Sequence, residues 1–232
     1  MRYSVKHKTT YEYAEPVTIC HSTAHLQPRQ TSTQRCDQSH VAIEPTPDTA
    51  TGCRDTFGNE VTHFSVQRPH QKLSVTATST VELRNQRSDD CLMGPSWEQV
   101  REAIRQGAAG GHLEAMGYVF DSPLIRPLPG MKEYAAKSFT PGRALSEAAT
   151  ELTTRIFTDF KYDPTATQVS TPLGEVWEGR RGVCQDFAHL QIACIRSLGL
   201  AARYVSGYLL TKPPPGQARM VGADASHAWL SV

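Results

Sequence analysis

The chain of 232 residues is long enough for one large domain or two small domains with a hydrophobic core. Its 24 basic and 23 acidic residues give a formal net charge of +1, so the overall charge favours neither nucleic acid nor an anionic membrane as a partner. No segment is apolar enough to cross a bilayer, and the first residues lack the apolar stretch of a signal peptide. We therefore expect a cytoplasmic protein.

The cysteines predict free thiols rather than a disulfide framework. They are Cys20, Cys36, Cys53, Cys91, Cys184 and Cys194. The chain is of ordinary size, shows no export signal and contains no C-x-x-C pair, which makes reduced thiols the better expectation. The nine histidines are scattered as well, so a metal site with closely spaced ligands is not expected.

Residues 1–85 have the pattern of short antiparallel strands. Apolar and polar residues alternate over Tyr3–Tyr13 and again over Leu73–Leu83, which is the period of a strand with one buried face. The segment Asp55–Glu60 contains Gly-Asn and predicts a turn between two strands. No helical period interrupts this region, so it predicts an antiparallel β-sandwich-like domain.

The polar segment 86–95 ends in Gly-Pro and predicts a boundary between a β-rich domain, 1–90, and a second domain, 91–232. The elements predicted for the second domain are a helix capped by Ser96, helices over 143–160, 172–178 and 184–198, and strands over 201–210 and 226–232. The Gly- and Pro-rich residues 107–130 predict irregular connections. The expected fold class is α+β, with the sandwich-like domain followed by helices packed on an antiparallel sheet.

The segment Gly179–Leu190, G-R-R-G-V-C-Q-D-F-A-H-L, places Cys184 in the first turn of a strongly predicted helix. Free backbone N–H groups and the helix dipole favour the thiolate there, and the thiolate is the form that attacks a carbonyl carbon. The glycines at 179 and 182 let the backbone approach a substrate closely. We therefore interpret Cys184 as a candidate nucleophile, and Cys194, on the apolar face of the same helix, as a core residue.

His227 lies in the segment Asp224–Trp229, D-A-S-H-A-W, at the start of the last predicted strand. From this position its ring can reach the start of the helix, take the proton of the thiol and later protonate the leaving amine. We interpret His227 as the candidate base, Trp229 as a packing residue and Asp224 as a partner in a loop hydrogen bond.

These segments resemble a known family. R-G-V-C-Q-D-F-A-H-L, followed by S-L-G-L-A-A-R-Y-V-S-G-Y and D-A-S-H-A-W, is similar to the bacterial transglutaminase-like family of the papain-like cysteine enzyme superfamily. H-K-T-T-Y-E-Y-A-E-P-V and D-T-F-G-N-E-V resemble the β-rich N-terminal domain that accompanies it in bacteria. The resemblance covers most of the chain. It implies a transglutaminase-like core in which Cys184 and His227 perform acyl transfer through a thioester, as in cysteine proteases.

The same resemblance implies a third catalytic residue, an Asp on the strand after the histidine, which orients the imidazole. Only five residues follow His227 and none is acidic. We therefore expect that the chain is truncated and that the acidic residue lies beyond Val232. Loss of such a residue costs on the order of ten-thousand-fold in rate in serine proteases, so the 232-residue chain is expected to lack full activity.

An oxyanion that forms at Cys184 requires hydrogen-bond donors. The backbone N–H groups of Cys184 and Gln185 are candidates, so we interpret Gln185 as an oxyanion- or substrate-binding residue. The resemblance implies a side-chain donor upstream as well, and both Gln168 and Trp177 fit that role.

Asp186 and His189 lie three positions apart on the predicted helix and can pair locally. We interpret them as packing or surface residues rather than as catalytic ones. Thiol acyl transfer needs no cofactor, so none is expected.

Two functions from different classes follow. The first hypothesis is a peptidase, amidase or transglutaminase that acts on the amide bonds of a protein or peptide. The alternative is a catalytically impaired module that keeps the fold and binds peptides without turnover. The paired cysteine and histidine favour the enzyme, and the missing acidic residue favours the binding module. The substrate, the choice between water and an amine as acceptor, and the oligomeric state are left open.

Overall fold

The computed structural model describes residues 1–84, 94–107, 113–210 and 226–232. The chain divides into two compact units, Met1–Arg87 and Ser88–Val232. The boundary predicted between residues 90 and 91 lies outside the described residues. Within the described part, no helix has the length and apolar character needed to cross a membrane.

The first unit consists of β-strands. They are β1 (Arg2–Val17), β2 (Cys20–Ala24), β3 (Gln34–Glu44), β4 (Thr49–Arg54), β5 (Glu60–Val66) and β6 (His70–Leu83). Two antiparallel sheets result, with strand orders β1-β6-β3 and β2-β5-β4. The predicted turn at Asp55 joins β4 to β5, and the Asp55 carboxylate accepts hydrogen bonds from the N–H groups of Phe57 (2.9 Å) and Asn59 (2.8 Å).

The core of this unit draws on both sheets. Its buried members are Ala24, Phe64, Val66, Leu73 and Val75. Because strand residues alternate between two faces, one face of each sheet contributes these side chains, and the two sheets form a sandwich.

The second unit mixes helices and short strands. Its elements are α1 (Trp97–Gln106), α2 (Leu113–Met116), α3 (Met131–Ala136), α4 (Leu145–Asp159), β7 (Lys161–Tyr162), α5 (Leu173–Gly179), β8 (Arg181–Gly182), α6 (Cys184–Ser197), β9 (Arg203–Gly207) and β10 (His227–Ser231). Strand β7 pairs with β8 in parallel, and β9 pairs with β10 in antiparallel orientation. The predicted α+β fold class is confirmed.

Helix α6 is the central element of the second unit. It contacts α3, α4 and α5 as well as strands β9 and β10. Leu190, Ile192 and Ile195 are fully buried in the core that these elements share. Gly199, with φ at +77°, follows the end of the helix and adopts the left-handed conformation that glycine favours.

The start of α1 follows the predicted capping box. The Ser96 hydroxyl accepts a hydrogen bond from the Gln99 N–H (3.4 Å), and the Gln99 side chain accepts one from the Ser96 N–H (3.0 Å). The short helix α5 begins one residue later than predicted. Pro172 is its N-cap, and the hydroxyl of Thr171 accepts a hydrogen bond from the Gln168 N–H (2.8 Å) in the loop before it.

The packing of the second unit predicts that two residues of α4 differ in how much they stabilise the fold. Replacing fully buried Leu152 with Ala removes core contacts and leaves a cavity, which we expect to lower the free energy of unfolding by about 2–5 kcal/mol. Phe157 is 84% exposed, and Phe157→Ala is expected to change that energy by no more than about 0.5 kcal/mol. Urea unfolding of both variants measures the difference, and equal losses would contradict this assignment of the core.

Candidate active site

Cys184 is the first residue of α6 and carries a free, partly buried thiol. The residue before it, Val183, is in an extended conformation with φ at −113°. The first hydrogen bond of the helix runs from the Phe187 N–H to the Val183 carbonyl oxygen (3.1 Å). The N–H groups of Cys184 and Gln185 precede that bond, so they have no partner within the helix and are oriented along its positive end.

Asp186 holds the start of α6 in place from the interior. Its side chain is only 3% exposed. One carboxylate oxygen accepts hydrogen bonds from the Val183 N–H (2.8 Å) and from the Thr167 hydroxyl (2.6 Å). A Cβ atom on Gly182 would lie 2.6 Å from the same oxygen, so only glycine fits there. Asp186 therefore joins the loop that contains Thr167 to the first turn of the helix.

The side chain of Gln185 reinforces the same junction. Its amide nitrogen donates a hydrogen bond to the Val169 carbonyl oxygen (3.2 Å). The side chain is thereby engaged with the loop before α5, and the backbone N–H is the group of Gln185 that remains for an oxyanion.

His227 is the first residue of β10 and pairs with Gly207 of β9. Its Nε2 atom is buried and has no hydrogen-bond partner among the described residues, so it is not bonded to the Cys184 sulfur. The ring of Trp229 lies across Gly207, where a Cβ atom would come within 2.5 Å of it. Trp229 thus packs on the strand pair beside His227, as expected. Asp224 lies outside the described residues.

The register of β9 and β10 determines which side chains share a face. The side chains of two residues that are directly paired across the strands point to the same face of the sheet. Consecutive residues along one strand point to opposite faces. Tyr204 is paired with Leu230, and both pack against the core of the second unit. His227 and Trp229 belong to the other face. The structure therefore places Cys184 and His227 on elements that contact each other, and it does not join the two side chains.

Tyr204 is a half-buried residue of β9 that packs beside α6 and that the sequence analysis did not single out. Its ring centroid lies 5.1 Å from that of His189 on α6. Burial raises the pKa of the Tyr204 phenol, and the charges of Cys184 and Asp186 raise it further. A tyrosine in a strand rich in Tyr and Val predicts only a packed side chain, because the sequence alone does not give the register with α6.

The two predicted side-chain donors occupy different surroundings. Gln168 is exposed on the loop before α5. Trp177 packs edge-on against Tyr134, with ring centroids 5.4 Å apart, and beneath the guanidinium of Arg180 at 4.1 Å. Arg180 adopts the left-handed conformation with φ at +51°, and its cation over the Trp177 ring is a contact that stabilises this turn.

His189 predicts a specific pH dependence of stability. Burial lowers its pKa from the usual 6.5, the charge of Asp186 opposes that change, and Arg196 adds to it. The folded protein thus binds this proton less strongly than the unfolded chain, so stability decreases as the pH falls through 6.5. We expect the loss of unfolding free energy between about pH 7.5 and about pH 5.5 to be smaller in His189→Gln. Equal losses in the wild type, in His189→Gln and in the exposed-residue control His21→Gln would contradict this.

Two family models match the chain. The model of the Bacterial transglutaminase-like N-terminal region matches residues 3–82, which lie in the first unit. The model of the Transglutaminase-like superfamily matches residues 132–232, a segment that contains Cys184, Gln185 and His227.

Two relatives from mycobacteria match this chain over its whole length. An uncharacterized protein of Mycobacterium tuberculosis, Rv2569c, is 43% identical over 231 residues, which cover 100% of this chain and 73% of the relative. An uncharacterized protein of Mycobacterium leprae, ML0607, is 30% identical over 231 residues, covering 100% of this chain and 79% of the relative.

The crystal structure of a "Putative Cysteine Protease" from Cytophaga hutchinsonii is similar in fold. It superposes with a TM-score of 0.70 over 99% of this chain and 72% of that chain, at 20% sequence identity. Together with the two matching family models, these relatives show that the chain belongs to the transglutaminase-like superfamily.

Proposed function

We propose that this protein is a cysteine-dependent acyl-transfer enzyme that acts on amide bonds, with Cys184 as its nucleophile. The observation that carries the proposal is the position of Cys184 as the first residue of α6, where the first backbone N–H groups have no partner within the helix. Membership of the transglutaminase-like superfamily supports it. So does the fold shared with a protein described as a cysteine protease.

The proposed reaction proceeds through a thioester. His227 takes the proton of the Cys184 thiol, and the sulfur attacks the carbonyl carbon of an amide. The carbonyl oxygen becomes an oxyanion that accepts hydrogen bonds from the N–H groups of Cys184 and Gln185. The C–N bond then breaks, and His227 gives its proton to the departing amine.

The thioester is resolved by a second acyl transfer. Water or another amine attacks the carbonyl carbon, His227 takes the proton of that nucleophile, and the C–S bond breaks. Water gives a peptidase or amidase, and an amine gives a transglutaminase. Both outcomes use the same residues, so the proposal covers a protein or peptide substrate with either acceptor.

A second function is favoured by one observation, namely that His227 is not hydrogen-bonded to Cys184 and belongs to the strand face opposite Tyr204. A module that binds peptides without turnover would need no such bond. The enzyme requires that the His227 ring meet the sulfur when substrate binds, and catalytic hydrogen bonds often tighten only in that complex.

The alkylation rates of the cysteines at neutral pH separate these functions. We expect iodoacetamide to alkylate Cys184 faster than exposed Cys53, because the start of a helix and a nearby imidazolium favour the reactive thiolate. Cys194 is fully buried, and burial raises its pKa to about 12, so it should react only in denaturant. Mass spectrometry of the labelled peptides measures all three sites in one sample.

Replacement of the base completes this experiment. In His227→Ala, the alkylation rate of Cys184 at neutral pH is expected to fall toward that of Cys53, because the imidazolium no longer stabilises the thiolate. The control His21→Ala removes an exposed histidine of the first unit and should change nothing. If Cys184 and Cys53 react alike in the wild type and His227→Ala has no effect, the enzyme is rejected in favour of the binding module.

A further inference from the structure

The segment between β7 and α5 runs beside the proposed nucleophile. At its start, the Asp163 N–H donates a hydrogen bond to the Gly182 carbonyl oxygen (2.9 Å), two residues before Cys184. Farther along, the Thr167 hydroxyl donates a hydrogen bond to the carboxylate of Asp186 (2.6 Å), two residues after Cys184. Because the segment is attached to the chain on both sides of Cys184, it borders the first turn of α6.

This segment ends in a β-turn, residues 168–171. The Thr171 N–H donates a hydrogen bond to the Gln168 carbonyl oxygen (2.9 Å), which closes the turn, and the Thr171 hydroxyl accepts one from the Gln168 N–H (2.8 Å). The Gln185 side chain donates a hydrogen bond to the Val169 carbonyl oxygen (3.2 Å), which fixes the turn to the start of α6. Val169 therefore occupies a corner of an ordered turn that is bonded to the residue after the nucleophile.

The side chain of Val169 contributes to neither the core nor the turn. It is 77% exposed, so little of its apolar surface is removed from water on folding. The residues that dominate turn corners are Gly, Pro, Asn, Asp and Ser, and none of them is β-branched. Ser170, at the other corner, follows this preference. A residue that contradicts its local structure is expected mainly at a functional site.

We infer that the Val169 side chain contacts the acyl part of the substrate and makes the enzyme prefer apolar acyl groups. This inference rests on the proposed function and adds a specificity-determining residue to it. The acyl group that is transferred to the sulfur of Cys184 lies at the first turn of α6, beside the turn that carries Val169. An apolar acyl group covers the methyl groups of Val169, and removal of both surfaces from water favours the reaction.

The surroundings of Val169 limit the size of this preference. Its neighbours in the turn, Gln168 and Ser170, are polar and exposed, so the apolar contact is confined to one side chain. Burial of roughly two methylene groups of a substrate changes a rate constant about ten-fold. A charged acyl group gains nothing from the contact. The site therefore selects among acyl groups by their apolar surface.

Two esters with the same leaving group test this inference. When p-nitrophenyl acetate or p-nitrophenyl hexanoate acylates a thiolate, a C–S bond forms, the C–O bond breaks and p-nitrophenolate departs. Mass spectrometry gives the acylation rates at Cys184 and at exposed Cys53 in the same sample. We expect the ratio of hexanoyl to acetyl transfer to be about ten-fold higher at Cys184, because Cys53 lies on β4, whose residues are all exposed.

Variants at position 169 assign this ratio to the valine. Val169→Ser removes the methyl groups, keeps the carbonyl oxygen that binds Gln185 and should lower the ratio at Cys184 to that at Cys53. Val169→Ile keeps an apolar side chain and should keep the ratio. Acetyl transfer and alkylation by iodoacetamide should change less than about two-fold in both variants, since the thiol and the turn remain. The control Phe157→Ser removes an exposed apolar side chain of α4 and should leave the ratio unchanged.

A wild type in which both cysteines show the same ratio would overturn the inference, while faster acylation of Cys184 than of Cys53 would still uphold the proposed function. The inference also falls if Val169→Ser keeps the wild-type ratio, if it slows both esters equally, or if Phe157→Ser lowers the ratio as much. A Cys184 that neither ester acylates rejects the proposed function and this inference together.

Discussion

The buried carboxylate of Asp186 is the interaction on which the geometry of the site depends. It accepts the Val183 N–H, which α6 itself leaves without a partner, and it binds the Thr167 hydroxyl of the preceding loop. Removal of either partner of such a bond leaves a buried polar group unsatisfied, at a cost of about 1–3 kcal/mol. The absence of a side chain at Gly182 is what allows the carboxylate to come so close. Cys184 lies between Val183 and Asp186, and the hydrogen bond between those two residues fixes the backbone around it.

The same carboxylate also affects the pKa values of two neighbouring side chains. Its charge opposes the effect of burial on His189 and raises the pKa of Tyr204. A single buried acid thus contributes to the backbone conformation at the nucleophile and to the protonation of two groups nearby. The sequence left Asp186 as either a packing or a surface residue, and its burial agrees with packing. A sequence shows that Asp186 lies three positions from His189, but not that its carboxylate binds the hydroxyl of Thr167.

Local signals predicted the elements that carry the site. The capping box at Ser96, the apolar period of α6 and the cysteine in its first turn are each encoded within a few residues, and the structure follows them. Helix α2, within residues predicted as irregular, was missed because it is too short to show a period. The relation of Cys184 to His227 and Tyr204 was not predictable, since it depends on the register of β9 with β10 and on how both pack on α6.

Trp229 and Gly207 form a pair of positions that share one volume. The indole occupies the space that a side chain at 207 would need, and it is still 39% exposed. Side-chain volume can therefore be redistributed between positions 207 and 229, but their combined volume cannot increase. A larger residue at 207 requires a smaller one at 229, and neither change alone preserves the packing next to His227. Sequence drift at these two positions should therefore be correlated, and this surface beside the base can be reshaped only by coupled substitutions.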